Sequence, residues 1–529
     1  MFDKLREKLG LKRKPPAAPT APAQAQPRRE LDLELSQAID RRIKARYEAA
    51  QQDIEYANIW ANADQFDADS AHTIDVRRPL VWRSRYEVAN NGFADGIAQT
   101  YATDMIGKGP KLRMMSQSQG FNAMVEQAWD GWAKAVQLRR KLWCMTHAKH
   151  VDGEAFAIMS LNPAGTDVVK LDLKLRETDQ CSTPFPPYLD PNYIDGMKFD
   201  EFGNVLWYDF LKWHPGSKKP VNYSIVPDQI PARFVLHWFK MRRPNQHRGV
   251  PESESTLNLG AAARRYREAN LSTAEKIAEF TLFLKTIFQP EELKPVKPLS
   301  TMDIEHGMMT ALPNNVEPFQ LRAEHPAANY GEFHKTLINE QARPKSMPLN
   351  KALCNSADYN YASGRLDHQT YYGQLDFERL DADDLVMEKL FSTWFFLAVR
   401  AYGWLGGNPF KINPLAWLHS FDWPKHAVAD VESEANANKT RLQSGQVDLD
   451  SLYTENGEDL EDLIPRMMQT FGVTEDELRR RLFDVCLPPP KLGDTPPGAG
   501  KQPVQPGAPA QNGNRFGQGH SNGAAHAAT

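Results

Sequence analysis

Apolar residues recur along this chain in two rhythms, and the change between them falls at Gly153. Before it, spacings of three and four predict helices. Leu31, Leu35, Ile39, Ile43 and Tyr47 form one stripe over 30–56, and Trp82, Tyr86, Ala89, Phe93, Ile97 and Tyr101 form another over 80–107, stopped by Gly107 and Gly109-Pro110. Two more helices are expected over 121–132 and 138–150. After Gly153 the period shortens, and 155–159, 171–175 and 234–239 read as strands. Residues 200–204 read as a hairpin turn between strands 196–199 and 205–210.

Helical spacing returns after Pro251. Ser253 and Ser255 are cap candidates for a helix carrying Leu257, Ala261, Ile277, Phe280 and Leu284 and ending before Pro290. Residues 289–326, proline-rich with short apolar runs, suit a compact irregular module. A short helix over 330–341 is stopped by Pro344, and a polar loop separates it from one continuous helical pattern over 366–402. That pattern is roughly 55 Å long at about 1.5 Å per residue and needs a large partner surface. Further helices are expected over 427–445 and 459–484, the latter with Leu460, Leu463, Ile464, Met467, Met468 and Phe471 in one stripe before Gly472. Residues 11–29 read as a Pro/Ala linker, and the Pro-, Gly- and Gln-rich tail beyond Leu487 reads as disordered.

A chain of 529 residues exceeds one typical core, so two or more packed units are expected. Apolar residues at 41% and charged residues at 25% are the proportions of a soluble globular protein. The formal charge of −4 argues against a static DNA clamp, which would carry a clear basic excess. Cys144, Cys181, Cys354 and Cys486 lie far apart without C-x-x-C spacing, which disfavours a zinc ribbon or disulfide framework and suits synthesis in a reducing cytosol. The most apolar window, 391–405, is interrupted by Arg400 and is shorter than a membrane span, so no membrane is expected as a partner. Residues 1–10 could form a short basic amphipathic helix but lack the features of a secretory signal.

Enzyme-like chemistry is sparse. His147, His150, Asp152 and Glu154 have the residue types and spacing of a metal site at a helix end, the basis of an alternative reading as a metal-dependent nuclease or phosphoesterase. Gly153-Glu154 reads equally well as the turn from helix into strand. Asp381, Asp383, Asp384 and Glu388 suggest a two-metal centre, or a solvated or subunit-facing side of the long helix. Arg264, Arg265 and Arg267 form a compact basic cluster suited to ring, stem or DNA contacts. Trp394, Phe395, Phe396, Tyr402 and Trp404 read as a buried aromatic stripe. No Walker motif, G-x-S-x-G elbow or H-E-x-x-H signature occurs, and neither a cofactor nor a metal is expected.

Two runs carry a resemblance. The first is the polar loop from Met347 to Arg365, with Asn360-Tyr361-Ala362-Ser363-Gly364-Arg365 near its end; the second runs from Phe234-Val-Leu-His-Trp-Phe through Gln246-His247-Arg248-Gly249-Val250-Pro251. In order and content they resemble the lambda-like family of tailed-phage portal proteins over about 80–485. The loop is similar to an N-Y-S-S-x-R run and the second segment to an R-x-G-Q-x-R-G-V-P junction. Two departures stand out, Leu349 where an aromatic often follows the proline, and Ala362 where the loop run has its first serine.

The resemblance implies an α+β portal fold with a wing domain over 30–251, stem helices over 252–288 and 327–346 flanking a small clip over 289–326, and a tunnel loop over 347–364. A long wing helix and following segment occupy 365–426, and a C-terminal helical crown 427–486. It implies no enzyme but a homo-oligomer, a dodecamer, at one capsid vertex of a virion. Double-stranded DNA would pass non-specifically through its channel. Its partners would be the large terminase subunit, head-completion or adaptor proteins, and major capsid and scaffolding proteins. Another connector or minor capsid protein is the structural alternative. A sliding channel must avoid deep electrostatic wells, because each held phosphate adds affinity. On that reading Lys345, Lys351 and Arg365 are candidate DNA-facing cations, with Asn350, Asn355, Tyr359 and Asn360 as neutral contacts; Arg365 could instead pair with Asp367 or Asp358.

Overall fold

The computed structural model describes residues 60–183, 190, 192–218, 226–278, 282–286, 316–320, 327–357, 359–409, 417–426, 431–455 and 460–486. The expected helix over 30–56, the linker, most of the 289–326 module and the tail lie outside these residues. The chain divides into two compact units, Met1–Ala71 and His72–Thr529. The first is described only from Trp60, with a short helix at Ala68–Ala71. The second mixes helix and strand.

Its first helices are α1 (Ile74–Asn90) and α2 (Gly92–Ile106), where one helix over 80–107 was expected. The break is chemical: Asn91 leaves helical geometry, its side chain accepts a hydrogen bond from the Phe93 amide, and its amide donates to Glu87. An N-cap asparagine thus starts a new helix inside a continuous apolar pattern. Strand β1 (Lys111–Met114) leads to α3 (Gln119–Ala135) and α4 (Leu138–Asp152), which ends on Gly153 in left-handed geometry (φ +89°).

The change of period at Gly153 marks a change of element. Strand β2 (Glu154–Leu161) is central in an antiparallel three-stranded sheet, flanked by β3 (Leu171–Arg176) and β8 (Val235–Phe239). A second antiparallel sheet holds β4 (Tyr193–Ile194), β5 (Met197–Phe199), β6 (Val205–Phe210) and β7 (Asp228–Pro231) in that order. Successive β2 side chains point to opposite faces. Ala155, Ala157 and Met159 therefore enter the main core, while Phe156 and Ile158 enter a smaller one with Met197, Phe199, Tyr208 and Phe210.

Helix α5 (Leu257–Ala278) ends earlier than expected, and 282–286, assigned to the same helix from Leu284, is instead strand β9 (Leu282–Thr286). It pairs antiparallel with β10 (Val316–Gln320), and this partner strand overrides the helical spacing. Helix α6 (Ala327–Ala342) packs on α5 through Tyr266, Tyr330 and Phe333. A single turn at Arg343–Lys345 leads to the short α7 (Leu349–Leu353).

The long helix is α8 (Tyr361–Ala382), a π turn (Asp383–Met387) and α9 (Glu388–Tyr402). A π turn inserts one extra residue into the helical ladder. It carries the buried face from Tyr371, Leu375 and Ala382 to the broader set Leu390, Phe391, Trp394, Phe395 and Val399. These side chains meet Trp129 and Trp132 of α3, with the Trp129 and Trp394 rings perpendicular at 5.1 Å. Of the expected aromatic stripe, Trp394 and Phe395 are fully buried while Tyr402 is exposed and stacks on Trp404. Strand β11 (His419–Asp422) pairs with β1, and four helices follow: α10 (Val431–Gln443), α11 (Leu449–Glu455), α12 (Leu460–Phe471) and α13 (Glu475–Cys486). Among the described residues no helix is long and apolar enough to cross a membrane.

Candidate functional site: the loop before the long helix and the charges at its base

Pro348 in extended geometry opens α7, and Cys354 in left-handed geometry (φ +52°) closes it. The free loop is therefore short. Cys354, Asn355, Ser356 and Ala357 are exposed, and helix α8 begins at Tyr361. The Asn360 carbonyl accepts from the Gly364 amide at 2.9 Å and from the Ser363 hydroxyl at 3.1 Å. The run Tyr361-Ala362-Ser363-Gly364-Arg365 is thus the first turn of a helix, not the end of a loop. Gly364 has a local reason: a Cβ there would lie 3.2 Å from the Tyr359 ring. The Tyr359 hydroxyl donates to Asp367 at 3.4 Å. Arg365 is exposed and makes no ion pair with any described residue.

Two expected DNA contacts are anchors instead. Lys351 forms a 2.6 Å ion pair with Asp104 at the end of α2, and the Tyr371 hydroxyl donates to the same carboxylate at 3.0 Å. The Asn350 side chain meets His368 at 3.0 Å, and His368 reaches the Tyr372 hydroxyl at 3.3 Å. Tyr372 in turn stacks on His426 at 4.2 Å. Helix α7 is tied in this way to α2 and to the second turn of α8.

Lys345 departs furthest from expectation. It is only 1% exposed, paired with Glu252 and 3.4 Å from Glu378, with its ammonium 3.5 Å from the centre of the Tyr101 ring. Lys149 completes the cluster, at 2.9 Å from Glu252 and 2.7 Å from Glu378. The Tyr101 hydroxyl donates to Glu378, and Lys240 stands 3.6 Å from it. Burial pushes the Glu378 carboxyl up, but Lys345 and Lys149 outweigh it and hold it well below the usual carboxylate range. Charges taken this far from water persist only when paired, which removes Lys345 from any DNA-facing set. The cluster joins α2, α4, the segment before α5, the end of α6 and α8. A signal was present in the sequence: Glu378 follows Tyr371 and Leu375, and Lys149 follows Leu142 and Met145, each a charge standing in an apolar helical stripe.

A second buried network engages the residues expected to bind metal. Glu154 accepts from Arg248 at 2.6 Å, Arg77 at 3.1 Å and the Gly249 amide at 3.0 Å, and lies 3.1 Å from His237. Burial would raise its carboxyl, yet Arg248 and Arg77 hold it well below the usual range. Asp152 pairs with Arg85 at 2.7 Å, His150 is buried 3.5 Å from Glu252, and His147 stacks on Trp143. The four side chains diverge to four different sets of partners. At this junction Gly153 and Gly249 lie back to back; a Cβ on Gly153 would fall 2.1 Å from the Val250 carbonyl carbon. The only residues allowed there are glycines, which accounts for both Gly153-Glu154 and the Arg248-Gly249-Val250-Pro251 run.

The acidic residues of the long helix also separate. Asp381 accepts from the Trp238 indole at 3.1 Å, Asp383 from the Trp423 indole at 2.9 Å, and Glu388 lies 3.0 Å from His419. Burial, only partly offset by the Trp423 hydrogen bond, pushes Asp383 up to about 7. Arg264 lies 3.4 Å from Glu87 and over the Tyr86 ring, while Arg265 is exposed without an ion partner among the described residues. Sequence reading missed one carboxylate–imidazole cluster, Glu177, Asp179 and His214, whose ligand atoms lie within 4.8 Å of one another. Arg85 already supplies its counter-charge, 2.7 Å from Asp179 and 3.4 Å from Glu177.

Residues 59–377 match the sequence profile of the family described as "Phage portal protein, lambda family". A "Probable portal protein" of Halomonas phage phiHAP-1 is 22% identical over 451 residues, covering 77% of this chain and 82% of that protein. Among solved structures, a chain from the neck of an empty GTA particle computed with C6 symmetry aligns with a TM-score of 0.42 at 12% identity, over 72% of this chain and 94% of that one. A chain from the neck of a native GTA particle computed with C12 symmetry aligns with the same TM-score at 13% identity, over the same shares of both chains.

Proposed function

The chain belongs to the lambda family of phage portal proteins, and from that premise we propose that it is the subunit of a closed ring, a dodecamer, set at one capsid vertex. Double-stranded DNA is packaged and released through the centre of that ring. Helices α5 and α6 serve as the stem, the segment between them, including β9 and β10, as the clip, and α10 to α13 as the crown. The clip docks the terminase during packaging and head-completion proteins afterwards; coat and scaffolding proteins meet the wing.

One observation carries the channel reading. A short polar segment, with Cys354 to Ala357 and Asn360 exposed, is held on one side by Asn350 and Lys351 and on the other by Tyr359, whose hydroxyl donates to Asp367. From Cys354 to Asp367 the sequence has two carboxylates, Asp358 and Asp367, and one guanidinium, Arg365. With Lys345 and Lys351 turned inward, the loop offers DNA polar groups, two carboxylates and one guanidinium, Arg365, which has no ion partner among the described residues. Each phosphate held by a cation adds affinity, so this is a low-friction surface: the duplex is guided without being gripped. Asn355, Asn360 and Arg365 are its DNA-facing residues.

Deleting 355–357 is the direct test. We expect rings that assemble normally, as seen by native mass spectrometry, inside particles that lose packaged genome. Normal genome retention would remove the loop from the function.

A further inference from the structure

Helix α8 is buried on one side and conspicuously bare on the other. Leu366, Phe377 and Leu380 are 66%, 65% and 64% exposed. With Gly373 they lie within a narrow strip, because steps of seven, four and three residues return to the same side of an α-helix, and the exposed Asp384 of the π turn follows just past it. Asp384 makes no ion pair among the described residues. Three large apolar side chains in one line on a rigid helix are more than the scattered exposure of an ordinary surface.

A second bare face has the opposite chemistry. On α1, Trp82 and Tyr86 are 56% and 59% exposed, one helical turn apart, with Arg83 exposed between them. Helix α5 packs beside α1 and extends this face, placing the Arg264 guanidinium 5.3 Å from the Tyr86 ring and leaving Arg265 exposed. Neither Arg83 nor Arg265 makes an ion pair among the described residues. Tryptophan, tyrosine and arginine are the residue types that dominate binding energy at protein interfaces.

We propose that these two faces are the two halves of the subunit–subunit contact: the α8 strip of one copy seats on the α1–α5 face of the next. This rests on the ring reading above. A closed ring of identical subunits is built from heterologous contacts, in which each copy presents two different surfaces. The chain has such a pair, one side apolar and ending on a carboxylate, the other aromatic with the guanidinium groups of Arg83 and Arg265, none of these charges paired among the described residues. Burial of Phe377 and Leu380 supplies adhesion, and Asp384 facing Arg83 or Arg265 sets orientation.

The heterologous geometry gives a distinctive test by native mass spectrometry of the full-length chain. Phe377→Glu with Leu380→Glu disables one face; Arg83→Glu with Tyr86→Glu disables the other. All four positions are exposed, so both variants should melt close to wild type, and each alone should be monomeric where wild type forms rings. Mixed in equal amounts they should form a one-to-one dimer and nothing larger, because each contributes the one intact face the other lacks. Rings from either variant, or a mixture of the two folded variants that stays monomeric, would overturn the pairing. Phe202→Glu, at an 89% exposed hairpin tip outside both faces, should leave rings intact; its loss of rings would overturn the specificity of these faces. A wild-type chain that forms no ring would instead bring down the portal reading itself.

Discussion

Two buried carboxylates, Glu378 and Glu154, and the half-buried Asp383 show how local surroundings set the behaviour of one chemical group. Glu378 sits between two lysines, all three side chains buried. Glu378→Gln leaves Lys345 and Lys149 buried with half their counter-charge, and breaking such a pair costs about 3–5 kcal/mol. The shift in the urea unfolding midpoint measures it. Glu154 is held low by Arg248 and Arg77, so its stabilisation is complete above the unfolded carboxylate value and is lost as pH falls through the lower folded value. The stability gap between wild type and Glu154→Gln should therefore be widest near neutral pH and close in acid below about 4.5. Asp383 has the opposite sign, because its folded value of about 7 lies above the unfolded one. Its cost is absent below about pH 4 and grows as pH rises to 7. Asp383→Asn, which keeps an acceptor for Trp423, should gain on wild type across that window in thermal melts at stepped pH.

At the scale of elements, the tightest constraint is the backbone contact between the end of α4 and the segment before α5. A Cβ on Gly249 would lie 2.1 Å from the Gly153 carbonyl oxygen, against backbone that no rotamer change can move aside. Gly249→Ala should cost more than about 4 kcal/mol, in the range reserved for severe mechanisms, and should show as a collapse in soluble yield. The same contact explains why two glycines a hundred residues apart are legible as a pair only once the fold is known. Most elements could be read in advance: α3, α4, β2, β3, the β5–β6 hairpin and α6 all stand where periodicity placed them. Misses occurred where a side chain or partner strand decided a boundary. Asn91 splits α1 from α2, β10 draws 282–286 into a strand, and α8 begins at Tyr361, before the expected loop end.

For the whole molecule, the distribution of charge matters more than its total. Many cations are spent inside: Lys149, Lys345, Arg77 and Arg248 all neutralise buried carboxylates. On the proposed channel reading, the loop of each subunit keeps one exposed arginine, Arg365, for DNA. Purified rings should therefore bind duplex DNA more weakly than about 10⁻⁶ M at physiological salt, with a shallow salt dependence. Tight binding that falls steeply with salt in a filter assay would contradict a low-friction channel. Arg365→Ala should weaken even this residual affinity, whereas Lys351→Ala should act through stability because its ammonium is bound to Asp104.

The sequence by itself determined most element types, the change from helical to strand rhythm at Gly153, the long helical pattern after 360, and the family. Each of these is local or is written in the order of motifs, and hydrophobic period needs no knowledge of what lies across the core. Which charges face outward was decided only by the tertiary structure. Lys345, Lys351 and Arg365 are alike in a polar run, yet one is buried against Glu252 and Glu378, one is tied to Asp104, and one is exposed with no ion partner among the described residues. Their partners come from residues far away in the chain, and pairing across such distances is fixed by packing, which brings α2, α4 and α8 to one place.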